Sequence, residues 1–177
     1  LQNQKRQKDL EAAQAVQQAL IAPDFQHMGV DCFRYYKAAS MAGGDWFDYH
    51  LDTTKRKIFI MMGDVSGHGI SAALVTSLVS GAVKSYLSSL QMRFSSSASD
   101  LVLDLANIAN ITVFNTTTHY MTLAIAALDL DSGELIYVNC AHCPTYILSE
   151  SVMKSIGERG PYLGESNEPE FTIEHYQ

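Results

Sequence analysis

The chain has 177 residues, 47% of them hydrophobic, and a formal net charge of −7. That is apolar material enough for the core of one domain, while no run approaches the roughly 20 consecutive apolar residues of a membrane span. An acidic chain with scattered Lys and Arg excludes nucleic acid as the main partner, since backbone phosphates need a basic face. The three cysteines Cys32, Cys140 and Cys143 build no disulfide framework, and no secretory signal opens the chain, so a reducing, cytoplasmic compartment is expected. The first residue is Leu1 rather than Met, which reads as a piece of something longer, with room upstream for a sensor, even a membrane-anchored one.

Residues 1–22 read as a Gln-rich helix with a narrow apolar stripe, Leu10, Ala13, Val16, Leu20 and Ile21, that Pro23 terminates. So narrow a stripe suits either a solvated surface helix or a linker that relays a signal and pairs with a second copy, giving a homodimer. Residues 23–177 form the domain proper. Met28 to Ala38 holds a predicted strand, Cys32 to Tyr36, whose large residues on both faces place it inside a two-layer packing. Gly43-Gly44-Asp45 opens a strand from Trp46 to Leu51. A turn, Asp52-Thr53-Thr54-Lys55, then leads to the apolar run Ile58-Phe59-Ile60-Met61-Met62, a buried strand ended by Gly63, with Asp64 at its carboxyl end. The two strands make an antiparallel hairpin.

Gly67 and Gly69 allow a sharp turn before a helix from Ile70 to about residue 90, with Leu74, Val75, Leu78, Val79, Ala82 and Tyr86 on one broad face. In the serine run 95–99, Ser97 or Ser99 caps a second helix reaching about Phe114, its apolar face being Leu101, Leu105, Ile108 and Ile111. His119 to Leu130 is a strand, Asp131-Ser132-Gly133 a hairpin turn, and Glu134 to Cys140 the return strand, with Leu135 and Tyr137 opposite Ile136 and Val138. Thr145 to Leu148 adds a short strand and Phe171 to Tyr176 another. No internal repeat is present. Antiparallel hairpins with two helices covering sheet faces give the α+β class.

One glycine–acid loop would serve equally well as an ordinary turn. Two of them, on adjacent strands of a hairpin, bring Asp45 and Asp64 close together. Neighbouring carboxylates repel unless protonated or bridged by a cation. Oxygen ligands point to Mg²⁺ or Mn²⁺ rather than zinc. Asp48 either supports that site or lies exposed on its strand. Cys140 and Cys143 flank His142, but no second Cys-x-x-Cys exists and the motif follows a strand instead of opening a helix. Two small buried hydrophobes are therefore expected rather than a zinc or redox site. His27, His50, His119 and His175 stand singly and read as surface or structural residues; Trp46 and the tyrosines read as core and cleft wall.

The ordered set of motifs carries a resemblance. It comprises Ala15-Val16-Gln17-Gln18-Ala19-Leu20 with Pro23, Gly43-Gly44-Asp45-Trp46-Phe47-Asp48, and Gly63-Asp64-Val65-Ser66-Gly67-His68-Gly69 with Ala72-Ala73-Leu74. Thr122, Asn139-Cys140-Ala141-His142-Cys143-Pro144 and Pro161-Tyr162-Leu163-Gly164 complete it. Through these, residues 11–174 resemble the bacterial SpoIIE/RsbU-type serine/threonine phosphatases, a branch of the metal-dependent PP2C-like enzymes. The resemblance implies a four-layer α-β-β-α sandwich, two antiparallel sheets flanked by helices, with two Mn²⁺ or Mg²⁺ ions in a cleft. It implies that Asp64 bridges both ions, that Asp45 and the Val65 carbonyl bind one, and that a metal-activated hydroxide attacks a phosphoserine or phosphothreonine directly. His68 would be a proton donor or a polar residue facing the cleft.

The implied substrate is a phosphorylated regulatory protein such as a STAS-type anti-sigma-factor antagonist, under an upstream sensor. Two departures stand out. The family's later Thr-Asp-Gly and Asp-Asp acids do not occur, so the domain is expected to lack its C-terminal portion and, alone, to be a poor two-metal catalyst. Ala141 also replaces a usual glycine, which would strain a turn of positive φ. A catalytically dead pseudophosphatase that binds a partner is the alternative.

Overall fold

The computed structural model describes residues 11, 14, 15, 19–27, 29–36, 43–54, 56–90, 97–116 and 118–177. Positions 11, 14, 15, 19 and 20 are helical, as expected; Leu10, Ala13 and Val16, which define the apolar stripe, lie outside the described residues. The elements that follow are β1 (Phe25–His27), β2 (Val30–Cys32), β3 (Trp46–Asp52), β4 (Lys57–Val65), α1 (Ile70–Leu90) and α2 (Ala98–Thr116). After them come β5 (Met121–Asp129), β6 (Leu135–Cys140), β7 (Thr145–Ser149), β8 (Val152–Ile156) and β9 (Glu174–Tyr176).

A five-stranded sheet in the order β3-β4-β5-β6-β9 is the centre of the molecule, with β1–β2 and β7–β8 as separate two-stranded ladders. Every pairing is antiparallel. The expected β3–β4 hairpin forms with Trp46 opposite Gly63 and Asp52 opposite Lys57. Its turn is held by Asp52 Oδ1, which accepts from the Thr54 N–H at 3.1 Å and the Thr54 hydroxyl at 2.7 Å.

Side chains alternate across a strand, so the register sorts each strand into two sets. Trp46, Phe59, Met61, Val65, Leu123, Ile125, Ile136 and Val138 face the helices and join their buried residues in one large core. Ala124 and Tyr137 face the other way, where Ile147 and Ile156 of the β7–β8 ladder cover them in a smaller core. The predicted division of Leu135 and Tyr137 from Ile136 and Val138 is thus realised. The α+β class holds, with helices on one face of a sheet and antiparallel strands on the other.

Four local expectations are corrected. Strand β4 runs through Gly63 to Val65; a Cβ at Gly63 would stand 2.5 Å from Met121 Cε and 2.8 Å from the Thr122 carbonyl, so this glycine permits close strand packing instead of ending the strand. Strand β2 stops at Cys32, and Tyr35 is 90% exposed instead of lying between layers. There the Arg34 N–H bonds Asp24 Oδ1 at 3.0 Å instead of continuing a ladder.

On α1 the inward stripe is Ala72, Val75, Val79, Val83 and Leu87, while Leu74 and Leu78 point out. Small residues at this 3.6-residue spacing let the helix sit close to the sheet, which the leucines would prevent. On α2 the stripe is likewise rotated, to Val102, Leu105, Ala106, Ala109 and Val113, leaving Ile111 outside. Ser97 is the cap: its hydroxyl oxygen accepts the Asp100 N–H at 3.1 Å. By length and composition alone Ile70–Ser89 could cross a bilayer; its buried valine face against the sheet accounts for that apolarity.

Candidate functional site

The parity that sends Val65, Leu123 and Val138 toward the helices sends Asp64, Thr122 and Asn139 to the opposite face, all at one end of the sheet. Asp64 pairs directly with Thr122 across β4–β5. One position beyond the Trp46–Gly63 pair, Asp45 falls across from Asp64.

The Gly43-Gly44-Asp45 loop is clamped to that end. The Gly44 carbonyl accepts from the Val65 N–H at 3.2 Å and from the buried Thr76 hydroxyl of α1 at 3.0 Å. Gly44 approaches so closely that a Cβ there would stand 2.4 Å from the Val65 carbonyl oxygen and 3.0 Å from Asp64 Oδ1. Past β4 the chain turns through Gly67 (φ 90°) and Gly69 (φ 83°), conformations that favour glycine.

The electrostatics follow from this crowding. Burial, and then the charge of Asp45, push the Asp64 carboxyl above its ordinary value. Asp45 also reaches His142, where burial lowers the imidazole and Asp45 opposes it, and Tyr36, which burial and then Asp45 raise. Two cavities, each of 490 Å³, adjoin Asp64. Asp45, Tyr35, Tyr36 and Met62 line the first; Thr122, Ser155 and Arg159 line the second; His142 and Cys143 border both.

The turn after β6 supplies His142. Asn139 Oδ1 accepts the His142 N–H at 2.7 Å, and Ala141 adopts φ 54°, the positive value expected of a glycine position. His142 Nδ1 and the Thr122 hydroxyl share a hydrogen bond of 2.8 Å, while His142 Nε2 is buried without a partner among the described residues.

Of the expected site residues, Asp45, Asp64 and Val65 come together. His68 is exposed in the glycine turn and lines neither cavity. Both readings of Asp48 are corrected. It lies an odd number of positions from Asp45, hence on the helix face, where it is 5% exposed and pairs with Lys84 of α1 at 3.1 Å. Burial raises its carboxyl against the pull of Lys84.

The cysteine expectation is half right. Cys140 is buried, its thiol pushed up to about 12, but Cys143 is exposed at the cavity edge. His119 bonds the Ser66 carbonyl at 2.7 Å and His175 pairs with Glu134 at 2.8 Å, structural roles as expected. Asn139, His142 and Arg159 had no assigned role in the sequence reading. Strand alternation counted one residue on from the buried Val138 would have put Asn139 on the Asp64 face, but the contact of His142 with Thr122 depends on the β5–β6 register.

Among the described residues no group of three or more His, Cys, Asp or Glu side chains converges as a complete metal cage. The donors present are carboxylate and carbonyl oxygens.

The profile of the family described as stage II sporulation protein E (SpoIIE) matches residues 54–177. Protein IcfG of Synechocystis sp. is 24% identical over 190 residues, covering 94% of this chain, which spans only 30% of IcfG. Among solved structures, the SiaA-PP2C domain of Pseudomonas aeruginosa superposes with a TM-score of 0.76 at 16% identity, over 99% of this chain and 68% of that one. A Mycobacterium tuberculosis structure of RsbU and RsbW domains gives 0.56 at 25% identity, over 78% of this chain and 37% of that one. The fold is thus that of PP2C phosphatase domains, and because the profile match spans more than half of the sequence, the chain belongs to the SpoIIE family.

Proposed function

We propose that this domain is a divalent-metal-dependent serine/threonine protein phosphatase acting on a phosphorylated regulatory protein, such as a STAS-type anti-sigma-factor antagonist, in a cytoplasmic signalling system. The observation that carries the reading is the pair Asp45 and Asp64, held across adjacent strand ends, one carboxyl raised by burial and by the other's charge. A cation relieves such a pair.

The donors fit Mn²⁺ or Mg²⁺: the Asp45 and Asp64 carboxylates and the Val65 carbonyl are hard oxygen ligands. Mg²⁺ in particular keeps several waters and takes one or two carboxylates together with substrate phosphate oxygens. The Asp45 and Asp64 carboxylates and the Val65 carbonyl are the groups of this chain that would hold two such ions. Bound there, they would supply a nucleophilic water at neutral pH and offset charge on the phosphoryl oxygens.

The chain's own residues hold the geometry. Thr76 and the Val65 N–H fix the Gly44 carbonyl and hence Asp45, and the β4–β5 ladder fixes Asp64. We assign His68 to proton delivery to the leaving oxygen, and the exposed Phe33 and Tyr35 to contact with the polypeptide around the phosphorylated residue. The likeness to a chain carrying RsbU and RsbW domains supports a partner-switching context. The segment of residues 1–22 would join the domain to its sensor and to a second copy.

The test is hydrolysis of para-nitrophenyl phosphate with added Mn²⁺, alongside calorimetry of Mn²⁺ binding. Activity and Mn²⁺ binding are expected in the intact protein and both are expected to vanish in Asp64→Asn. Mn²⁺-independent turnover, or full activity in Asp64→Asn, would sink the reading. The partial set of side-chain donors favours one second reading, a pseudophosphatase that binds its phosphorylated partner without turnover.

A further inference from the structure

We propose that the cavity between β5, the 139–144 turn and the β7–β8 ladder is a phosphate-monoester subsite, in which Arg159 and His142 hold the phosphoryl group beside Asp64. This rests on the phosphatase reading and adds to it the groups that recognise the substrate's charge. The cavity of 490 Å³ is lined by Asp64 on one side and by Thr122, His142, Ser155 and Arg159 on the others. Among its described lining residues only Arg159 carries a permanent positive charge. No carboxylate among the described residues forms an ion pair with Arg159.

The guanidinium is nevertheless held in place. Its Nη2 donates to the Tyr162 hydroxyl at 2.7 Å, and its Cζ stands 5.5 Å from the centroid of the same ring. Tyr162 packs on Tyr120 with ring centroids 6.4 Å apart, and the Tyr120 N–H bonds the Ser66 hydroxyl at 3.0 Å, two residues past Asp64. The next residue after Arg159 is tied to the turn that carries His142: the Gly160 N–H bonds the Asn139 carbonyl at 2.9 Å, while Asn139 Oδ1 takes the His142 N–H. One asparagine thereby positions both groups. A planar guanidinium held with N–H groups to spare matches phosphate oxygens in geometry as well as charge.

His142 supplies an independent observation. It is only 9% exposed, and its Nε2 is buried with no hydrogen-bond partner among the described residues, a costly state that a ligand oxygen would end. The Thr122 hydroxyl bonds Nδ1 at 2.8 Å and lies 3.4 Å from the Asp64 carbonyl, to which it can also donate. In the tautomer in which Nδ1 accepts from Thr122, Nε2 carries the imidazole hydrogen and is a donor, as an anion requires.

The experiment is calorimetric titration of inorganic phosphate into the intact protein with and without Mn²⁺, with melting temperature and Mn²⁺ affinity measured on the same samples. Arg159→Gln and His142→Ala are each expected to weaken phosphate binding about tenfold or more. In Arg159→Gln the melting temperature and Mn²⁺ affinity should be little changed, whereas His142→Ala, which empties a buried position, should also lower the melting temperature. Arg159→Lys should recover part of the loss, and Tyr162→Phe should show a smaller one. In the hydrolysis assay Arg159→Gln should raise KM far more than it lowers kcat, a split that a merely structural arginine would not produce.

Phosphate binding unaltered in Arg159→Gln, or no binding by the intact protein at millimolar phosphate, would overturn the subsite. Failure of the phosphatase reading is separable. Arg159-dependent phosphate binding in a protein that neither binds Mn²⁺ nor hydrolyses the ester would keep the subsite and remove the metal chemistry.

Discussion

The two faces of the central sheet are made by the same strands, residue by alternate residue, yet they do different work. Toward the helices, Leu123, Ile125 and Val138 are wholly buried with Val79, Val83 and Leu105. Toward the other side, the same strands present Asp64, Thr122 and Asn139, and the covering ladder leaves Leu148 77% and Met153 68% exposed. Stability is concentrated on one face and polar chemistry on the other, so substitutions should separate the two.

The largest expected effect is on the helix face. Leu123→Ala empties a fully buried position and should cost about 3 kcal/mol, roughly 6–12 °C in melting temperature for a domain of this size. Its counterpart, Met153→Ser on the exposed ladder, should stay within about 0.5 kcal/mol. Denaturant unfolding of both would break the comparison if the ladder residue proved as costly as the core one.

Next is the charge pair that ties β3 to α1. Lys84→Met would leave the Asp48 carboxylate buried without a counter-charge, keeping only the Tyr49 N–H at 2.9 Å, and should cost about 2 kcal/mol at neutral pH; that is below the usual cost for a buried pair because Lys84 is half-exposed. Asp48→Asn should cost less than about 1 kcal/mol, since burial already disfavours the ionised carboxyl. A carboxyl raised by folding adds stability that is complete below its unfolded value and is lost as pH rises through the raised one. Wild type should therefore gain on Asp48→Asn as pH falls from 7 toward 4, and the penalty of Lys84→Met should shrink over the same range. Unfolding curves at both pH values check it; an Asp48→Asn cost above that of Lys84→Met would contradict this account.

On the cleft face the sign reverses. Without metal, Asp64→Asn removes a carboxylate that Asp45 repels, so at neutral pH the variant should melt no lower than wild type, and slightly higher. Added Mn²⁺ should raise the melting temperature of wild type and leave the variant unmoved. A large loss in Asp64→Asn without metal would mean that the carboxylate is structural.

This division explains what the sequence made legible. The acid pair was readable because its causes are local: a glycine before each acid, a turn between two apolar runs, and a period of two. The helix phases were not, because α1 carries apolar residues nearly all round, Ile70, Leu74 and Leu78 included. Only the sheet decides that the Ala72–Val79–Val83 stripe goes inward. Asp48 was misread for the same reason: its partner Lys84 lies on another element. His142 and Arg159 emerge only when the β5–β6 register and the Asn139 turn are known.

A small net effect should come at Ala141, a non-glycine residue in a left-handed backbone conformation. Ala141 sits at φ 54°, which costs an L-residue roughly 1–2 kcal/mol. Ala141→Gly would release that strain, but it would also bare a buried methyl position, about 0.8 kcal/mol. It would further add about 0.5–1 kcal/mol of unfolded-chain entropy. The three terms nearly cancel, so the net change should stay under about 1 kcal/mol, with phosphate affinity unchanged because the Asn139–His142 hydrogen bond is kept. Ala141→Val, with a branched side chain at the same φ, should be clearly worse than either residue. If glycine instead destabilised the fold by several kcal/mol, the Ala141 methyl would be a packing element, and this end of the cleft face would belong energetically with the helix face.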